Sequence, residues 1–293
     1  MDLGISGKTA IVTGASTGIG RAITEEFAQN GMRVVIVARN AEHLCATAKQ
    51  IASQFKAEVL PVAANVADPA EPARVVASAV ERFGGVEVLV NSAGRAHAGG
   101  ILEASDADWQ DMTETKLSAM RRFCQAAIPH MRKRHWGRIV NISSIGGIYP
   151  NYELMVSHAL SAAINNLTRS MALELAHDGI LVNAIGVGAI LTDNWAHNML
   201  PDVRKRRPEI AKQSDEALVK LLGEEMTPVG RFGRPDEIAE IAAFLASERN
   251  GFVTGGVLLL GDERPKLDGR IQAVTDLDLA GALDHPFDDF VID

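Results

Sequence analysis

The sequence predicts an α/β chain, a doubly wound parallel sheet built as a single domain. Three observations carry that expectation. Short apolar runs alternate with helical stretches from about residue 7 to residue 261. Several of the runs are apolar at nearly every position, as strands buried on both faces are. Successive runs are separated by helix-length connections, which parallel pairing requires and a hairpin does not.

The elements follow in order. "TAIVTG" (9–14) is a first strand that stops at glycine, and "GIGRAITEEFAQNG" (18–31) is a helix that ends at Gly31. "RVVIVA" (33–38) is a second strand, followed by an amphipathic helix over 41–55. A third strand falls in 57–66, a third helix in 72–85 and a fourth strand in 86–94. One long helix is expected over 108–134, then a fifth strand, "GRIVNISS" (137–144), and a helix over 153–176. A sixth strand (180–188), a late helix (235–247) and a last strand (255–261) complete the alternation.

Composition narrows the class. The chain has 293 residues, 47% of them apolar, enough for a sizeable core. Its formal charge is −8, so a nucleic-acid partner has no electrostatic support. The two cysteines, Cys45 and Cys124, fall in helical sequence and predict no disulfide framework, as in a reducing cytoplasm. No run is long and apolar enough to span a bilayer, so no membrane partner is expected. The first strand follows the N-terminus directly, with no signal-peptide pattern. The histidines lack H-E-x-x-H spacing and no metal site is expected.

Two segments break the alternation. Residues 189–228 are a polar, mixed-charge insertion, expected as a lid over a substrate because long loops beyond strand ends carry function in such sheets. Residues 262–293 form an acidic C-terminal extension with nine acids against three bases, leaving 1–261 as the α/β domain.

The turn "TGASTGIG" joins the first strand to the first helix. Glycine there permits a tight turn and a close backbone approach to a pyrophosphate, and the helix start offers N–H donors. The spacing is G-x-x-x-G-x-G. With "NSAG" (91–94), "GRIVNISS" (137–144), "LVNAIGVGAILT" (181–192) and "RFGRPDEIA" (231–239), in that order, it resembles the short-chain dehydrogenase/reductase family. The resemblance implies a Rossmann fold, a nicotinamide dinucleotide cofactor and a homodimer or homotetramer. By position it implies that Gly14, Ser16, Thr17, Gly18, Ile19 and Gly20 cradle the phosphates. It places Asn65 and Val66 beside the adenine, Asn91, Ala93 and Gly94 along the cofactor cleft, and Thr192 at the carboxamide.

Cofactor choice is read at the end of the second strand. An NAD site needs a carboxylate there for the ribose hydroxyls. This chain has Ala38 followed by Arg39, whose guanidinium suits a 2′-phosphate, so NADP is expected over NAD.

The resemblance implies a carbonyl/alcohol oxidoreductase whose acid is a tyrosine and whose partner is a lysine one turn along. Ser144 matches the family serine. The tyrosine position, 13 residues on, is Ser157, the lysine position is Ser161, and an asparagine position on the preceding helix is Lys116. The Tyr-x-x-x-Lys pair is therefore expected to be absent. A serine hydroxyl is too weak an acid to replace a phenol unaided. Lys116 is the candidate to restore the positive charge, with Tyr152 or Tyr149 as phenols from the loop before the helix. His158 points about 100° away from the tyrosine position, towards a helix–helix contact, and His97 borders the substrate side. Two alternatives stay open: a non-catalytic NADP-binding sensor or assembly protein, and a non-redox enzyme on the same scaffold. The ends of the insertion allow a hydrophobic carbonyl compound as substrate.

Overall fold

The computed structural model describes residues 2–193 and 195–261. Seven strands make one parallel sheet: β1 (Thr9–Thr13), β2 (Arg33–Ala38), β3 (Val59–Ala63), β4 (Val88–Asn91), β5 (Gly137–Ser144), β6 (Ile180–Val187) and β7 (Val257–Leu260). Their spatial order is β3-β2-β1-β4-β5-β6-β7. The order reverses between β1 and β4, so the carboxyl ends of these two strands open a crevice in which ligands of open α/β sheets bind.

Helices cover both faces: α1 (Gly18–Gln29), α2 (Ala41–Phe55), α3 (Glu71–Phe83), α4 (Asp106–Met112), α5 (Ala119–Arg132), α6 (Met155–Leu175), α7 (Leu200–Arg206), α8 (Asp215–Met226) and α9 (Pro235–Leu245). Strand alternation divides the core. Ile11, Val35 and Leu89 face a layer with Val75, Phe123 and Ile164, from α3, α5 and α6. Val12, Ile36 and Val90 face the opposite layer with Ile23, Leu44 and Ile238, from α1, α2 and α9. Each such aliphatic side chain, fully removed from water, contributes about 1.5–3 kcal/mol. Cys45 and Cys124 are both free thiols.

Two expectations need correction. The single helix expected over 108–134 is three segments: α4, a π-helical stretch at Thr113–Ser118, and α5. Helical periodicity is the same on either side of such a stretch, so the pattern of apolar residues does not reveal it. Residues 189–228 are not merely a polar loop. They contain a π-helical turn at Trp195–Met199 together with α7 and α8, and Leu200, Ile210, Leu218 and Leu222 pack with Phe232 as a small core of their own. Ser214 caps α8 by accepting the Ala217 N–H at 3.2 Å, a start signal hidden in a charge-rich segment. The 262–293 extension lies outside the described residues.

Arg206, in the last turn of α7, anchors this segment. Its guanidinium meets Asp202 at 2.8 Å, Glu153 at 3.3 Å and Glu103 at 3.7 Å. Glu103 and Glu153 belong to the two loops that follow β4 and precede α6. Those loops are joined to each other where the Gly99 N–H donates to the Glu153 carbonyl at 2.7 Å.

Candidate active site

The glycine loop turns sharply off β1. Gly14 and Gly18 have φ of 68° and 56°, a region that other residues enter only at a cost. A Cβ on Gly14 would stand 2.9 Å from the Ala93 Cα, and one on Gly20 would stand 2.4 Å from the Gly14 carbonyl oxygen. The loop is thereby pressed against "NSAG" after β4. Thr13 holds the two together: its hydroxyl oxygen accepts the N–H groups of Ser92 at 3.0 Å and Ala93 at 3.1 Å. Sequence reasoning missed Thr13, and its place at the last residue of β1, directly before the glycine turn, was the available signal.

The start of α1 is open. Thr17 occupies the N-cap without a side-chain hydrogen bond, and the first turn carries no acid. The first N–H groups of a helix have no partner within the helix, so this end suits an anion. Thr192 faces it, with its Cγ2 3.5 Å from where a Gly18 Cβ would sit. Ser16 is part-buried and Ile19 packs partly into the core. Arg39, just past β2, is exposed and makes no hydrogen bond or ion pair among the described residues. Val66 is buried, while Asn65 is exposed and accepts the Ala67 N–H at 3.2 Å. These residues fit a phosphorylated dinucleotide: a backbone cradle with no acid in it, and an unpaired guanidinium at the strand end.

Asn91 turns inward. Its amide donates to the Asn141 side-chain oxygen at 2.9 Å, and Asn141 in turn donates to the Thr168 hydroxyl at 2.9 Å. This buried chain ties β4, β5 and α6 together below the crevice.

Lys116 sits in the π-helical stretch. The wider turn resets the direction of side chains that follow it, and such stretches are frequent at functional sites. The Lys116 Nζ donates to Ser161 Oγ at 3.3 Å and to Ser157 Oγ at 3.4 Å. The structure thus brings together three sequence-predicted residues from two helices. Gly94 makes room for the lysine stem: a Cβ there would lie 3.1 Å from Lys116 Cγ. A cavity at the carboxyl ends of β1, β4 and β5 is lined by Lys116 with Thr13, Asn91, Ala93, Ile142 and Ile164. No carboxylate pairs with the amine among the described residues, and burial lowers its pKa from 10.5 to about 8.

Ser157 and Ser161 are buried on α6. The Ser161 hydroxyl donates to the Ser157 carbonyl at 2.8 Å, so its lone pairs are what it offers Lys116. The Ser157 hydroxyl proton has no acceptor among the described residues. Ser144, part-buried at the end of β5, accepts the Gly146 N–H at 3.2 Å and makes no bond to Lys116. Tyr152 stays outside this cluster: it is 77% exposed, and Tyr149 is 40% exposed.

His158 is buried on α6. It packs against the turn after β5, where a Gly146 Cβ would lie 2.1 Å from its ring, and its Nδ1 accepts the Asn151 N–H at 2.9 Å. Burial first, and then the Lys116 charge, lower its pKa to about 4, so it is neutral at pH 7. His97 Nε2 lies 3.0 Å from Asp108 Oδ1, in the capped first turn of α4. Among the described residues, no group of three His, Cys, Asp or Glu side chains is arranged to hold a metal ion.

Residues 8–200 match the family model described as short chain dehydrogenase. The chain belongs to the short-chain dehydrogenase family. It is 34% identical over 254 residues to a 3-oxoacyl-[acyl-carrier-protein] reductase of Thermotoga maritima, covering 87% of this chain and 96% of the relative. It is also 34% identical over 254 residues to the 2,5-dichloro-2,5-cyclohexadiene-1,4-diol dehydrogenase of Sphingobium indicum, covering 86% and 93%. Among solved structures, L-sorbose reductase from Gluconobacter frateurii, complexed with NADPH and L-sorbose, superposes with a TM-score of 0.83 at 35% identity, covering 90% of this chain and 98% of that one. These three proteins are named for an oxoacyl-carrier-protein, a chlorinated diol and L-sorbose, so the family supports oxidoreductase chemistry and leaves the substrate to the site.

Proposed function

We propose that this short-chain dehydrogenase is an NADPH-dependent carbonyl reductase in which Lys116 does the acid's work. The observation that carries this reading is the convergence of Lys116 Nζ on Ser157 and Ser161, at 3.4 and 3.3 Å, the two positions where the family pair is expected. The glycine loop and the open start of α1 would hold the pyrophosphate, and Arg39 would take the 2′-phosphate. The solved sorbose reductase that this chain resembles holds NADPH, which supports the same choice here. When bound, NADPH supplies a hydride to a carbonyl carbon.

The chain's own residues handle the proton. Lys116, with a pKa of about 8, is mostly an ammonium at pH 7 and sits close enough to neutrality to release a proton. The two serine oxygens orient it, and no carboxylate holds the proton back. Its charge stabilises the oxyanion as it forms, an effect enlarged by burial. Ser144, whose hydroxyl accepts the Gly146 N–H and so keeps its own proton to give, would donate to the same oxygen. Helices α7 and α8 would cover the substrate, which we propose to be a hydrophobic carbonyl compound, and α5 and α6 would pair in a homodimer or homotetramer. Leu173 of α6, 82% exposed in the single chain, is consistent with such pairing.

Fluorescence titration tests the cofactor: NADPH should bind more tightly than NADH, and Arg39→Ala should weaken NADPH by about 10–100-fold, the value of a charge-assisted pair. Equal binding of the two cofactors would remove the basis for Arg39. Lys116→Met should lower the kcat of carbonyl reduction by on the order of 100-fold while keeping the NADPH affinity. An unchanged rate would end the assignment of Lys116. A light-scattering mass equal to the 31.3 kDa chain would count against self-association.

A further inference from the structure

We propose that His158 is a positioning residue for the mouth of the cleft. Through one ring nitrogen it holds the loop before α6, and through that loop the loop after β4 and helix α7. This rests on the reading above only in that the substrate enters between these segments. The contacts form a continuous set. The His158 Nδ1 accepts the Asn151 N–H at 2.9 Å. Asn151 then gathers the loop around itself: its side-chain oxygen accepts the Glu153 N–H at 2.8 Å, and its carbonyl accepts the Leu154 N–H at 3.2 Å. The Glu153 carbonyl accepts the Gly99 N–H at 2.7 Å, and Gly99 and Leu154 pair as an isolated parallel bridge, so the loop after β4 is tied to the same backbone. The Glu153 carboxylate lies 3.3 Å from the Arg206 guanidinium of α7.

The ring is itself held in place. His158 is 7% exposed and packs on the turn after β5, where Gly146 has no Cβ to collide with it. A ring nitrogen that accepts an N–H carries no proton, so this contact fixes the tautomer, with Nδ1 bare and the proton on Nε2. Burial and the Lys116 charge keep the ring neutral at pH 7, the state in which Nδ1 can accept. His158 directly follows Ser157, whose hydroxyl meets Lys116, so a single turn of α6 carries both a contact of that lysine and the anchor of the mouth.

A role in packing alone makes a different demand on the side chain. Contact with Gly146 needs volume, which leucine supplies without an acceptor. Holding the Asn151 N–H needs an acceptor bonded to the γ carbon, as Nδ1 is, and the side-chain oxygen of asparagine stands at that position. His158→Leu and His158→Asn therefore separate the two roles.

The test reads single amides by NMR hydrogen exchange in the full chain without cofactor. In His158→Leu the N–H groups of Asn151, Glu153, Leu154 and Gly99 should exchange about three- to tenfold faster than in the parent, the value of one neutral hydrogen bond, with β2 unchanged. His158→Asn should restore their protection. Equal protection in all three proteins, or exchange in His158→Asn as fast as in His158→Leu, overturns the proposal. The parent also supplies a check that needs no folded variant. Nitrogen NMR of its imidazoles should show His158 with a bare Nδ1 and a protonated Nε2, and the opposite tautomer overturns the proposal. Turnover adds a readout that packing alone does not move. With cyclohexanone and NADPH, His158→Leu should raise KM about three- to tenfold with kcat within about twofold of the parent, and His158→Asn should recover the parent KM. An unchanged KM in His158→Leu, or a fall in kcat alone, overturns the positioning role. A parent that binds no NADPH refutes the reading above alone, because exchange and the tautomer are measured without cofactor.

Discussion

Lys116 is the residue on which site chemistry and stability meet. Its amine titrates near pH 8 in the folded chain and near 10.5 when unfolded. Between those values the unfolded state binds more protons, so the contribution of this group to stability rises with pH across the window. Below pH 8 the full cost of holding the charge in the cleft is present, on the order of 3 kcal/mol as an upper bound. Its two hydroxyl contacts are long and recover little of that. Lys116→Met should therefore be more stable than the parent at pH 7, and the advantage should fade by about pH 10. Thermal unfolding of both proteins at the two pH values measures this. A difference that does not change with pH would mean that the amine is well solvated. The same reasoning explains what the sequence could show of the site. That a lysine stands seven residues after Trp109 is plain in the letters. That it reaches Ser157 and Ser161 depends on a π turn and on space left by Gly94, neither of which has a compositional signature.

At the scale of elements, strands were the most legible part. β1, β2, β5 and β6 are continuous apolar or β-branched runs because helices bury both faces, and tertiary context had nothing to override. The helices over 18–31 and 153–176 were legible for the same reason. Residues 189–228 were not, because α7 and α8 are short and charged and gain their order from one small cluster and from ion pairs. This gives α7 a specific dependence on Arg206. Two of its three carboxylate partners, Glu103 and Glu153, tie the cleft-side segment to the loops that carry them, and the third, Asp202, is on α7 itself. Each pair is partly exposed and worth about 0–1 kcal/mol, so Arg206→Ala should scarcely move the global unfolding temperature. It should instead speed amide hydrogen exchange in 200–206 by several-fold and leave exchange in β4 and β5 unchanged, since local opening follows local contacts. An equal rise in exchange throughout the chain would show that the clasp holds the whole domain.

The whole molecule separates its two tasks along the strand direction, and β5 shows this within eight residues. Ser144, at its carboxyl end, borders the cleft. Arg138, at its amino end, is 5% exposed and has no carboxylate in hydrogen-bond contact among the described residues. Its guanidinium donates to the carbonyls of Gly137 at 2.8 Å, Asn250 at 2.9 Å and Ser247 at 3.2 Å, and stacks 4.4 Å from the Trp136 ring centre. Burial lowers its pKa to about 10, which still leaves it charged at pH 7. One side chain thus closes the amino end of the sheet onto the segment after α9, joining residues more than a hundred positions apart. Arg138→Leu removes a costly buried charge, which is a gain, but it orphans the Ser247 and Asn250 carbonyls in residues that are 0% and 1% exposed. Each orphaned group costs about 1–3 kcal/mol, and the shorter leucine leaves space beside Trp136. The losses outweigh the gain, for a net destabilisation of about 2–4 kcal/mol, or roughly 5–15 °C in Tm for a domain of this size. Because the change lies at the opposite end of β5 from the crevice, the NADPH dissociation constant of the folded variant should stay within about twofold of the parent. Calorimetry and cofactor titration on the same sample check both halves. A stable Arg138→Leu variant would show that the carbonyls find water, and a folded variant that lost NADPH would show that the two ends of the sheet are coupled.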